Sequence, residues 1–364
     1  MRYAFKHPLK RIKRELVSPG FKITRFILDK THYFLGKIFY SAKIDKNKGV
    51  FVWDIRSYPL TFDFLFLIFG VFNRFKELNI NSFDLLIFVP DNQLKDISIW
   101  DEYIQYVSAN DSFKRIKKII FPLSKLFNCI DHVKIITEEN DLIELIKNKT
   151  VIPQSYNPYI YYPEVLDYKT IFSFLLYKEN INIPLFEVDK IEIDDEINID
   201  ISLKYVTLTL RDYGFKPKRN TKQLDIDIAC KFAKKHKAKL VIIPDDIEKL
   251  ENYQFPKNSL VINKARQDIY IRILLYSKSI VNLFPNSGTS LLPLFIKDSK
   301  MIVVRWAGGS DDDNLKFYKR KLGINFGDQP LLRLGGYYLW DQQNENYDES
   351  NIEFAYKKLN SLEN

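Results

Sequence analysis

Apolar and polar positions along the chain repeat in two periods, one typical of buried strands and the other of amphipathic helices. In the first half, short apolar runs predict strands over 49–55, 83–89 and 132–137. Segments with helical periodicity predict helices over 61–78, 111–127, 139–148 and 167–180. Strands that alternate with helices form a parallel sheet with helices on both faces, so this half is expected to be one α/β unit.

The same alternation restarts after an acidic stretch that lacks helical periodicity. Strands are predicted over 205–210, 239–244, 259–263, 280–284 and 301–306, and helices over 224–238, 267–279, 289–297 and 351–362. The predicted fold class is α/β, with two Rossmann-like, doubly wound domains that face a cleft. The predicted parts are an N-terminal arm (1–48), a first domain (49–185), a connection (186–203) and a second domain (204–364), whose last helix could cross back.

The positive charge of the chain is concentrated in the N-terminal arm. Residues 1–48 contain 13 Lys and Arg against 3 Asp and Glu, a net charge of +10, whereas the whole chain carries +9. Because the body has no basic stripe of its own, binding of nucleic acid is not expected. In the arm, Leu9, Ile12 and Leu16 share one helical face, with lysines and arginines around them. Two interpretations stay open: a segment that lies on an anionic membrane surface, and a solvated helix that covers the first domain.

Hydropathy and cysteine content indicate in which cellular compartment the protein is expected. The most apolar run, 62–72, has about half of the ~20 residues that a membrane span needs, and it predicts a buried helix. The basic start is not followed by a continuous apolar region, so no cleavable signal peptide is expected. Two cysteines without a CxxC partner and four histidines without ligand spacing favour a reduced, metal-free protein of the cytoplasm.

Residues that follow the predicted strands are candidates for ligand binding, because open α/β sheets bind ligands beyond the carboxyl ends of their strands. Arg211 follows the strand 205–210, and a basic loop comes next that contains Lys216, Lys218, Arg219 and Asn220. A guanidinium group binds phosphate through two parallel hydrogen bonds, so Arg211 is the first candidate for a donor-phosphate site, and Lys216, Arg219 and Asn220 are predicted to bind the donor beside it. The alternative is a surface loop that happens to be basic.

A second candidate phosphate site follows the strand 280–284. Pro285 ends the strand, Gly288 permits a tight turn, and hydroxyl groups can cap the helix that follows. The start of a helix attracts anions through its free backbone amides. The predicted donor-binding members of the turn are Asn286, Ser287, Gly288, Thr289 and Ser290. The alternative is an ordinary strand–turn–helix with a good N-cap.

Other strand ends carry carboxylates and a tryptophan. Asp245, with Asp246, follows the strand 239–244 and can either bind ribose hydroxyls or cap the next helix, and capping is favoured. Trp306 can stack on a base or sugar, while the acids at 311–313 fit a helix start better than a metal site. The candidates for an acceptor-side group or general base in the first domain are Asp54, Arg56, Asp91 and Glu138.

The segment 204–307 resembles the donor half of GT-B glycosyltransferases. In heptosyltransferase-like members a helix leads to a strand, a Ser-Gly turn and a helix near the nucleotide. The strand 205–210 with Arg211 is similar in placement to the strand-and-arginine element of fucosyltransferase-like enzymes, where the arginine contacts donor phosphate. The chain departs from these patterns at Asn286, at Leu291 or Leu292, and at Asp212, where those families have Asp, His and a second basic residue.

The resemblance implies a metal-independent glycosyltransferase that takes a nucleotide-sugar as co-substrate and needs no other cofactor. Arg211 and the turn 286–290 would neutralise the leaving phosphate, and Asp54 or Asp91 would deprotonate the acceptor hydroxyl if the reaction inverts. The expected acceptor is a surface polysaccharide, a lipopolysaccharide or another glycan, reached at the inner face of the cytoplasmic membrane. The alternatives are a pyruvyltransferase, a nucleotide-sugar epimerase, and a non-catalytic binding protein of envelope assembly.

Overall fold

A computed structural model describes most of the chain beyond the N-terminal arm. The described residues are 45–55, 60–90, 114–153, 156, 158, 168–177, 181–192, 203–213, 217–244, 250–306, 315–340 and 347–361. The predictions made for residues 1–44, Arg56, Asp91, Lys216, Asp245, Asp246 and 311–313 lie outside them. Within the described ranges, no helix is long and apolar enough to cross a membrane.

The first half forms one parallel sheet with helices between its strands. The strands are β1 (Asp45–Asp54), β2 (Phe83–Phe88), β3 (Ile130–Ile136) and β4 (Lys149–Ile152). The helices are α1 (Phe64–Glu77), α2 (a π-helical turn, Ile116–Ile120, continued by the α-helix Phe121–Leu126), α3 (Glu139–Ile146) and α4 (Tyr168–Tyr177). The strand order is β3-β2-β1-β4. The apolar run 62–72 supplies most of α1, which is buried as predicted.

The second half forms a larger parallel sheet. Its strands are β5 (Tyr205–Thr209), β6 (Lys239–Ile243), β7 (Leu260–Val261), β8 (Asn282–Phe284), β9 (Met301–Val303) and β10 (Gly336–Tyr338). Its helices are α5 (Gln223–Lys235), α6 (Lys264–Gln267), α7 (Ile269–Lys278), α8 (Leu315–Leu322) and α9 (Glu349–Asn360), with a 3-10 helix over Gly288–Phe295. The strand order is β10-β9-β8-β5-β6-β7.

In both sheets the strand order reverses beside the first strand of the unit. β1 has β2 on one side and β4 on the other, and β5 has β6 on one side and β8 on the other. This is the order of a doubly wound, Rossmann-like sheet, so the predicted fold class is confirmed. Ligands of such sheets bind at the carboxyl ends of the strands where the order reverses. In this protein those positions are the ends of β1 and β4, and the ends of β5 and β8.

The two halves pack against each other through aromatic side chains. Phe186, at the start of the predicted connection, donates its amide hydrogen to the carbonyl of Phe295 at 2.8 Å. The ring of Phe127 lies 4.6 Å from that of Phe186 and 5.6 Å from that of Phe295. All three side chains are buried in one core that contains residues of both sheets. The predicted connection therefore begins inside this core and not as an exposed linker.

The last helix packs on the second sheet. Ile352, Ala355 and Leu359 of α9 are buried in the core that also holds the apolar face of α5. The neighbours of α9 are α5, β9 and β10. Among the described residues, these three apolar side chains of α9 are thus covered within the second half.

Candidate functional site

Asp54 is the last residue of β1 and lies where the order of the first sheet reverses. Its side chain is buried, and Oδ2 accepts a hydrogen bond from the hydroxyl of Tyr156 at 2.7 Å. Tyr156 follows β4, and its amide donates to the carbonyl of Pro153 at 3.1 Å. The carboxylate predicted from the sequence is therefore held across the reversal point by a phenol that the sequence analysis did not single out.

Glu138 lies farther from this reversal point. It is exposed and immediately precedes α3, where its carbonyl accepts the amide hydrogen of Leu142 at 3.2 Å. It follows β3, an outer strand that β2 separates from β1. Of the described acceptor-side candidates, the structure thus places Asp54 at the reversal point and Glu138 beyond the edge strand.

Arg211 follows β5 at the reversal point of the second sheet, and its side chain is buried. Its Nη1 donates a hydrogen bond to Oδ1 of Asn220. The backbone is fixed as well: the amide of Arg211 donates to Oγ1 of Thr221 at 2.8 Å, and the amide of Thr221 donates to the carbonyl of Arg211 at 2.8 Å. Two residues predicted for the donor site, Arg211 and Asn220, are thus brought together.

Asn220 organises the loop around Arg211. Its Oδ1 also accepts the amide hydrogen of Tyr213 at 3.2 Å, and its Nδ2 donates to the carbonyl of Tyr213 at 3.2 Å and to Oδ1 of Asp212 at 3.3 Å. Arg219 and the exposed Lys218 lie in the short 3-10 turn that precedes Asn220. Asp212, where the fucosyltransferase-like pattern has a second basic residue, serves here as an acceptor for Asn220.

The turn 286–290 lies at the carboxyl end of β8, but its backbone differs from the prediction. Gly288 does not adopt a positive φ, so the turn does not depend on the left-handed freedom of glycine. The helix that follows is a 3-10 helix and contains Pro293, which lacks the amide hydrogen that an α-helical turn would use. The amide of Ser290 donates to the carbonyl of Ser287 at 3.2 Å, so it is not among the free amides expected at the start of the helix.

The hydroxyl groups of the turn are arranged around Ser287. The hydroxyl of Ser290 donates to the carbonyl of Ser287 at 2.6 Å, and the hydroxyls of Ser287 and Thr289 lie 2.9 Å apart. Ser290 is buried, whereas Gly288 is exposed and Ser287 half-buried. A 3-10 helix leaves its first amides without an internal acceptor, here those of Gly288 and Thr289. Ser290 therefore serves the turn itself, and the polar groups left as candidates for a phosphate are the first amides of the 3-10 helix and the hydroxyls of Ser287 and Thr289.

The segment after β9 contacts both predicted donor elements. Nη2 of Arg305 donates to the carbonyl of Asn220 at 3.0 Å, and the carbonyl of Trp306 accepts a hydrogen bond from Nδ2 of Asn286 at 2.8 Å. Arg305 also binds both oxygens of Asp225, with Nε 3.2 Å from Oδ1 and Nη2 2.7 Å from Oδ2. The arginine loop and the turn 286–290 are therefore attached to two consecutive residues.

Asp225 has a further partner in Tyr347, from the segment before α9, whose hydroxyl donates to Oδ1. Burial lowers the pKa of Arg305, but the charge and hydrogen bond of Asp225 outweigh it, so the pKa of Arg305 lies above its ordinary value. Burial, followed by the charge of Asp225, raises the pKa of Tyr347. Near neutral pH, Arg305 is therefore a cation and Tyr347 a neutral hydrogen-bond donor.

Sequence analysis missed Arg305 because the strand was predicted to continue to residue 306. β9 ends at Val303, and Arg305 adopts a left-handed backbone with φ 51°. A charged residue in an otherwise apolar run was the available signal. Its partner Asp225 lies 80 residues away in the chain, so no local pattern connects the two.

The indole of Trp306 belongs to an aromatic cluster. Tyr338 stacks on it, with ring centroids 3.9 Å apart and planes inclined by 6°. Tyr318 and Trp340 pack nearby, with centroids at 5.7 and 6.4 Å. One face of Trp306 is thus covered by the ring of Tyr338. Within the described residues, the indole Nε1 is buried and has no hydrogen-bond partner.

Elements that follow the two reversal points are in contact. Phe62 lies between β1 and α1, and Gly288 begins the 3-10 helix after β8. A Cβ atom placed on Gly288 would lie 3.4 Å from Cβ of Phe62, so the two residues are neighbours. The Asp54 end of the first sheet and the β8 end of the second therefore open toward a shared region.

Comparison with known proteins gives similarity in structure only. No family model matches the chain, and no curated protein sequence matches it. The chain is similar to a glycosyl transferase family 9 protein from Veillonella parvula, with TM-score 0.49, 11% identity, and 88% of this chain and 99% of that chain covered. It is also similar to the Escherichia coli heptosyltransferase WaaC with ADP, with TM-score 0.43, 8% identity, and 86% and 98% covered. A UDP-GlcNAc 2-epimerase from Methanocaldococcus jannaschii gives TM-score 0.31, 9% identity, and 86% and 92% covered.

Proposed function

We propose that this protein is a GT-B-type glycosyltransferase that moves a sugar from a nucleotide-sugar donor to a hydroxyl group of a glycan acceptor. One observation carries the proposal: each sheet presents a charged side chain of the required kind at its reversal point. These are the carboxylate of Asp54 in the first sheet and the guanidinium of Arg211 in the second. The contact of Phe62 with Gly288 places the following elements side by side.

The second sheet supplies the donor side. As the bond between sugar and phosphate breaks, negative charge develops on the leaving nucleotide, and fixed positive groups at that position lower the barrier. Arg211 is held by Asn220 before any ligand binds, so little reorganisation is needed. Residues 287–289 add two hydroxyl groups and the first amides of the 3-10 helix. In this scheme the transfer needs no metal ion.

The first sheet supplies the acceptor side. Asp54 is our candidate for the general base that removes the proton of the acceptor hydroxyl, which makes the reaction inverting. The hydroxyl of Tyr156 orients this carboxylate by donating a hydrogen bond to Oδ2. Asp91 remains a second candidate base, but it lies outside the described residues.

The N-terminal arm fits an acceptor at a membrane. We propose that residues 1–48, with a net charge of +10 from 13 Lys and Arg and 3 Asp and Glu, hold the enzyme on the anionic inner face of the cytoplasmic membrane. A lipid-linked glycan or lipopolysaccharide acceptor would then be within reach of the cleft.

The donor is identified by a thermal-shift screen with CMP-, GDP-, UDP-, ADP- and dTDP-sugars. A donor present at 100 times its dissociation constant should stabilise the folded protein by about 2.7 kcal/mol. Product analysis with and without an acceptor then tests the reaction, because an epimerase converts the sugar nucleotide alone. Sugar transfer that depends on the acceptor supports the proposal, and epimerisation without an acceptor refutes it.

Arg211→Lys tests the donor side of the proposal. Lysine keeps the charge but loses the planar fork that binds phosphate through two hydrogen bonds. We expect kcat/KM to fall at least about tenfold, equivalent to about 1.4 kcal/mol of transition-state stabilisation. Lys257→Ala, which removes an exposed cation of the same half, serves as the control and should leave kcat/KM unchanged.

A further inference from the structure

The guanidinium of Arg305 joins segments that are far apart in the chain. It binds both carboxylate oxygens of Asp225 in the first turn of α5, and it donates to the carbonyl of Asn220 in the preceding loop. The hydroxyl of Tyr347 binds Asp225 from the C-terminal side. Arg305, Asp225 and Tyr347 are 5%, 3% and 7% exposed, so solvent screens their interactions little.

This cluster lies beside the candidate phosphate site and is connected to it through one residue. Asn220 presents its backbone carbonyl to Arg305 and its side-chain Oδ1 to Arg211. A shift of the Asn220 backbone must therefore move the group that holds the Arg211 guanidinium. Buried ion pairs often contribute no more stability than an apolar replacement of the same shape. Stability alone does not account for a charged cluster at this position.

The backbone of Arg305 supports the same interpretation. Its φ of 51° is a conformation that an L-residue other than glycine adopts at a cost and keeps only where surrounding contacts require it. In this conformation the side chain of Arg305 reaches Asn220, while the carbonyl of the next residue, Trp306, accepts a hydrogen bond from Asn286. The strained residue thus lies where the arginine loop and the turn 286–290 are joined.

We propose that Arg305 is a positioning residue of the donor site, which acts on the bound phosphate through Asn220 and Arg211 without touching the nucleotide. Asp225 and Tyr347 hold the guanidinium of Arg305 in place. The inference rests on the proposed function. It adds that nucleotide affinity depends on Arg305 and on Tyr347, although neither residue touches the nucleotide.

The test uses two variants of the full chain, Arg305→Lys and Tyr347→Phe. Lysine keeps a charge opposite Asp225 but cannot bind Asp225 and the carbonyl of Asn220 with one planar group. Phenylalanine removes only the hydroxyl. Each protein is titrated with ADP, GDP, UDP, CMP and dTDP by calorimetry, after a cooperative thermal transition confirms its fold. We expect the nucleotide that binds the wild type to bind Arg305→Lys at least about tenfold more weakly, and Tyr347→Phe about threefold more weakly.

Matched controls separate positioning from a general loss of stability. Arg272→Lys changes another buried arginine whose Nε donates to a backbone carbonyl, that of Ala265, at 2.9 Å. Tyr356→Phe changes a half-buried tyrosine of α9. Both controls should bind the nucleotide as the wild type does. If the controls lose as much affinity as Arg305→Lys and Tyr347→Phe, the role of Arg305 is only structural and the inference is wrong.

A double variant tests whether Arg305 acts through Arg211. In that case Arg211→Lys combined with Arg305→Lys binds about as weakly as Arg211→Lys alone, and losses that simply add overturn the inference. If Arg305→Lys binds the nucleotide as tightly as the wild type while Arg211→Lys binds it more weakly, the inference is wrong and the proposed function stands. A wild type that binds none of the five nucleotides overturns both. If Arg305→Lys does not fold, Tyr347→Phe against Tyr356→Phe decides the question, and equal affinities reject the inference.

Discussion

A methyl group on the α-carbon of Gly288 would lie 3.4 Å from Cβ of Phe62 and 3.6 Å from its Cδ2. Gly288 belongs to the donor turn of the second sheet, and Phe62 to the segment that follows the first strand of the first sheet. These distances are ordinary van der Waals contacts, so alanine fits at position 288. A branched side chain fits only if the turn and Phe62 move apart.

Gly288→Val is therefore expected to affect the contact between the halves more than the binding of nucleotide. The added methyl groups are directed at Phe62, and a displacement of one half relative to the other misaligns donor and acceptor. We expect kcat to fall at least about tenfold. Nucleotide affinity should change by less than about threefold. Steady-state kinetics and calorimetry measure the two quantities.

Gly288→Ala is the control for Gly288→Val and should behave as the wild type. The double variant Gly288→Val with Phe62→Ala should recover part of the lost rate, because it restores the space between the halves. A folded Gly288→Val protein that loses nucleotide binding instead would show that position 288 faces the phosphate and not Phe62.

Substitutions of Asp54 and Tyr156 are expected to reduce kcat by different amounts. General base catalysis contributes about 10²–10⁴-fold to a rate, so Asp54→Asn should reduce kcat by at least about 100-fold. Tyr156→Phe keeps the ring and removes the donor to Oδ2, so a smaller loss of about tenfold is expected, with nucleotide affinity unchanged. The control is Tyr177→Phe, at an exposed tyrosine of the same half. Full activity of Asp54→Asn would assign the base to another residue.

Glu353 gives a prediction for stability against pH. Burial raises the pKa of Glu353, but the hydrogen bond and charge of His236, followed by the charge of Lys235, lower it below its ordinary value of 4.5. A carboxyl group with a lowered pKa in the folded state stabilises the fold above the ordinary pKa, and this contribution is lost as the pH falls through the lowered value. We expect Glu353→Gln to lower Tm at pH 6–7, and to bring it closer to the wild-type Tm as the pH falls below about 4.5.

The matched control for Glu353→Gln is Glu251→Gln, at an exposed carboxylate of the same half. Thermal unfolding of the three proteins between about pH 3 and pH 7 measures the effect. If the Tm difference between Glu353→Gln and the wild type stays constant across this range, the interaction with His236 does not contribute as described.

The N-terminal arm makes a prediction that needs no nucleotide. Each cation near an anionic bilayer adds about 1 kcal/mol to binding, and salt screens this attraction. Deletion of residues 1–20, which carry 6 of the 13 Lys and Arg of the arm, should therefore reduce sedimentation with vesicles that contain phosphatidylserine or phosphatidylglycerol. Vesicles of phosphatidylcholine alone are the control. Equal sedimentation of the shortened and full chains with anionic vesicles would locate the attachment elsewhere.

Most of the sheet elements were predictable because their apolar runs are continuous and bounded by polar residues. The strands missed by the sequence analysis are short: β4 has four residues and begins with Lys149, and β10 has three and begins with a glycine. Such short segments form strands because neighbouring strands are there to pair with, and the local sequence pattern contains no information about those neighbours. The 3-10 helix after β8 was predicted as a helix, although its tighter winding around Pro293 was not.

The residues of the candidate site also fall into two groups, those that the sequence could predict and those that it could not. Arg211 and the turn 286–290 could be found because residues after a parallel strand reach its carboxyl end. Tyr156 and Arg305 could not, since each acts on a partner distant in the chain, 102 residues away for Asp54 and 80 for Asp225. Sequence rules thus located the groups expected to meet the substrate, and the folded chain was needed to find the groups that hold them.

The ring contact of Phe127 with Phe295, and the hydrogen bond from Phe186 to Phe295, bear on how far the halves can be treated as modules. A chimera that joined a foreign first half to the second half of this chain would have to replace these contacts. Such a chimera would interrupt the buried aromatic contact between the halves. Aromatic side chains left without their partners would be exposed, and exposed apolar surface favours aggregation. A chimera that keeps the segment around Phe186 together with α2 preserves this aromatic contact. We therefore expect a junction outside these segments to be tolerated better than one within them.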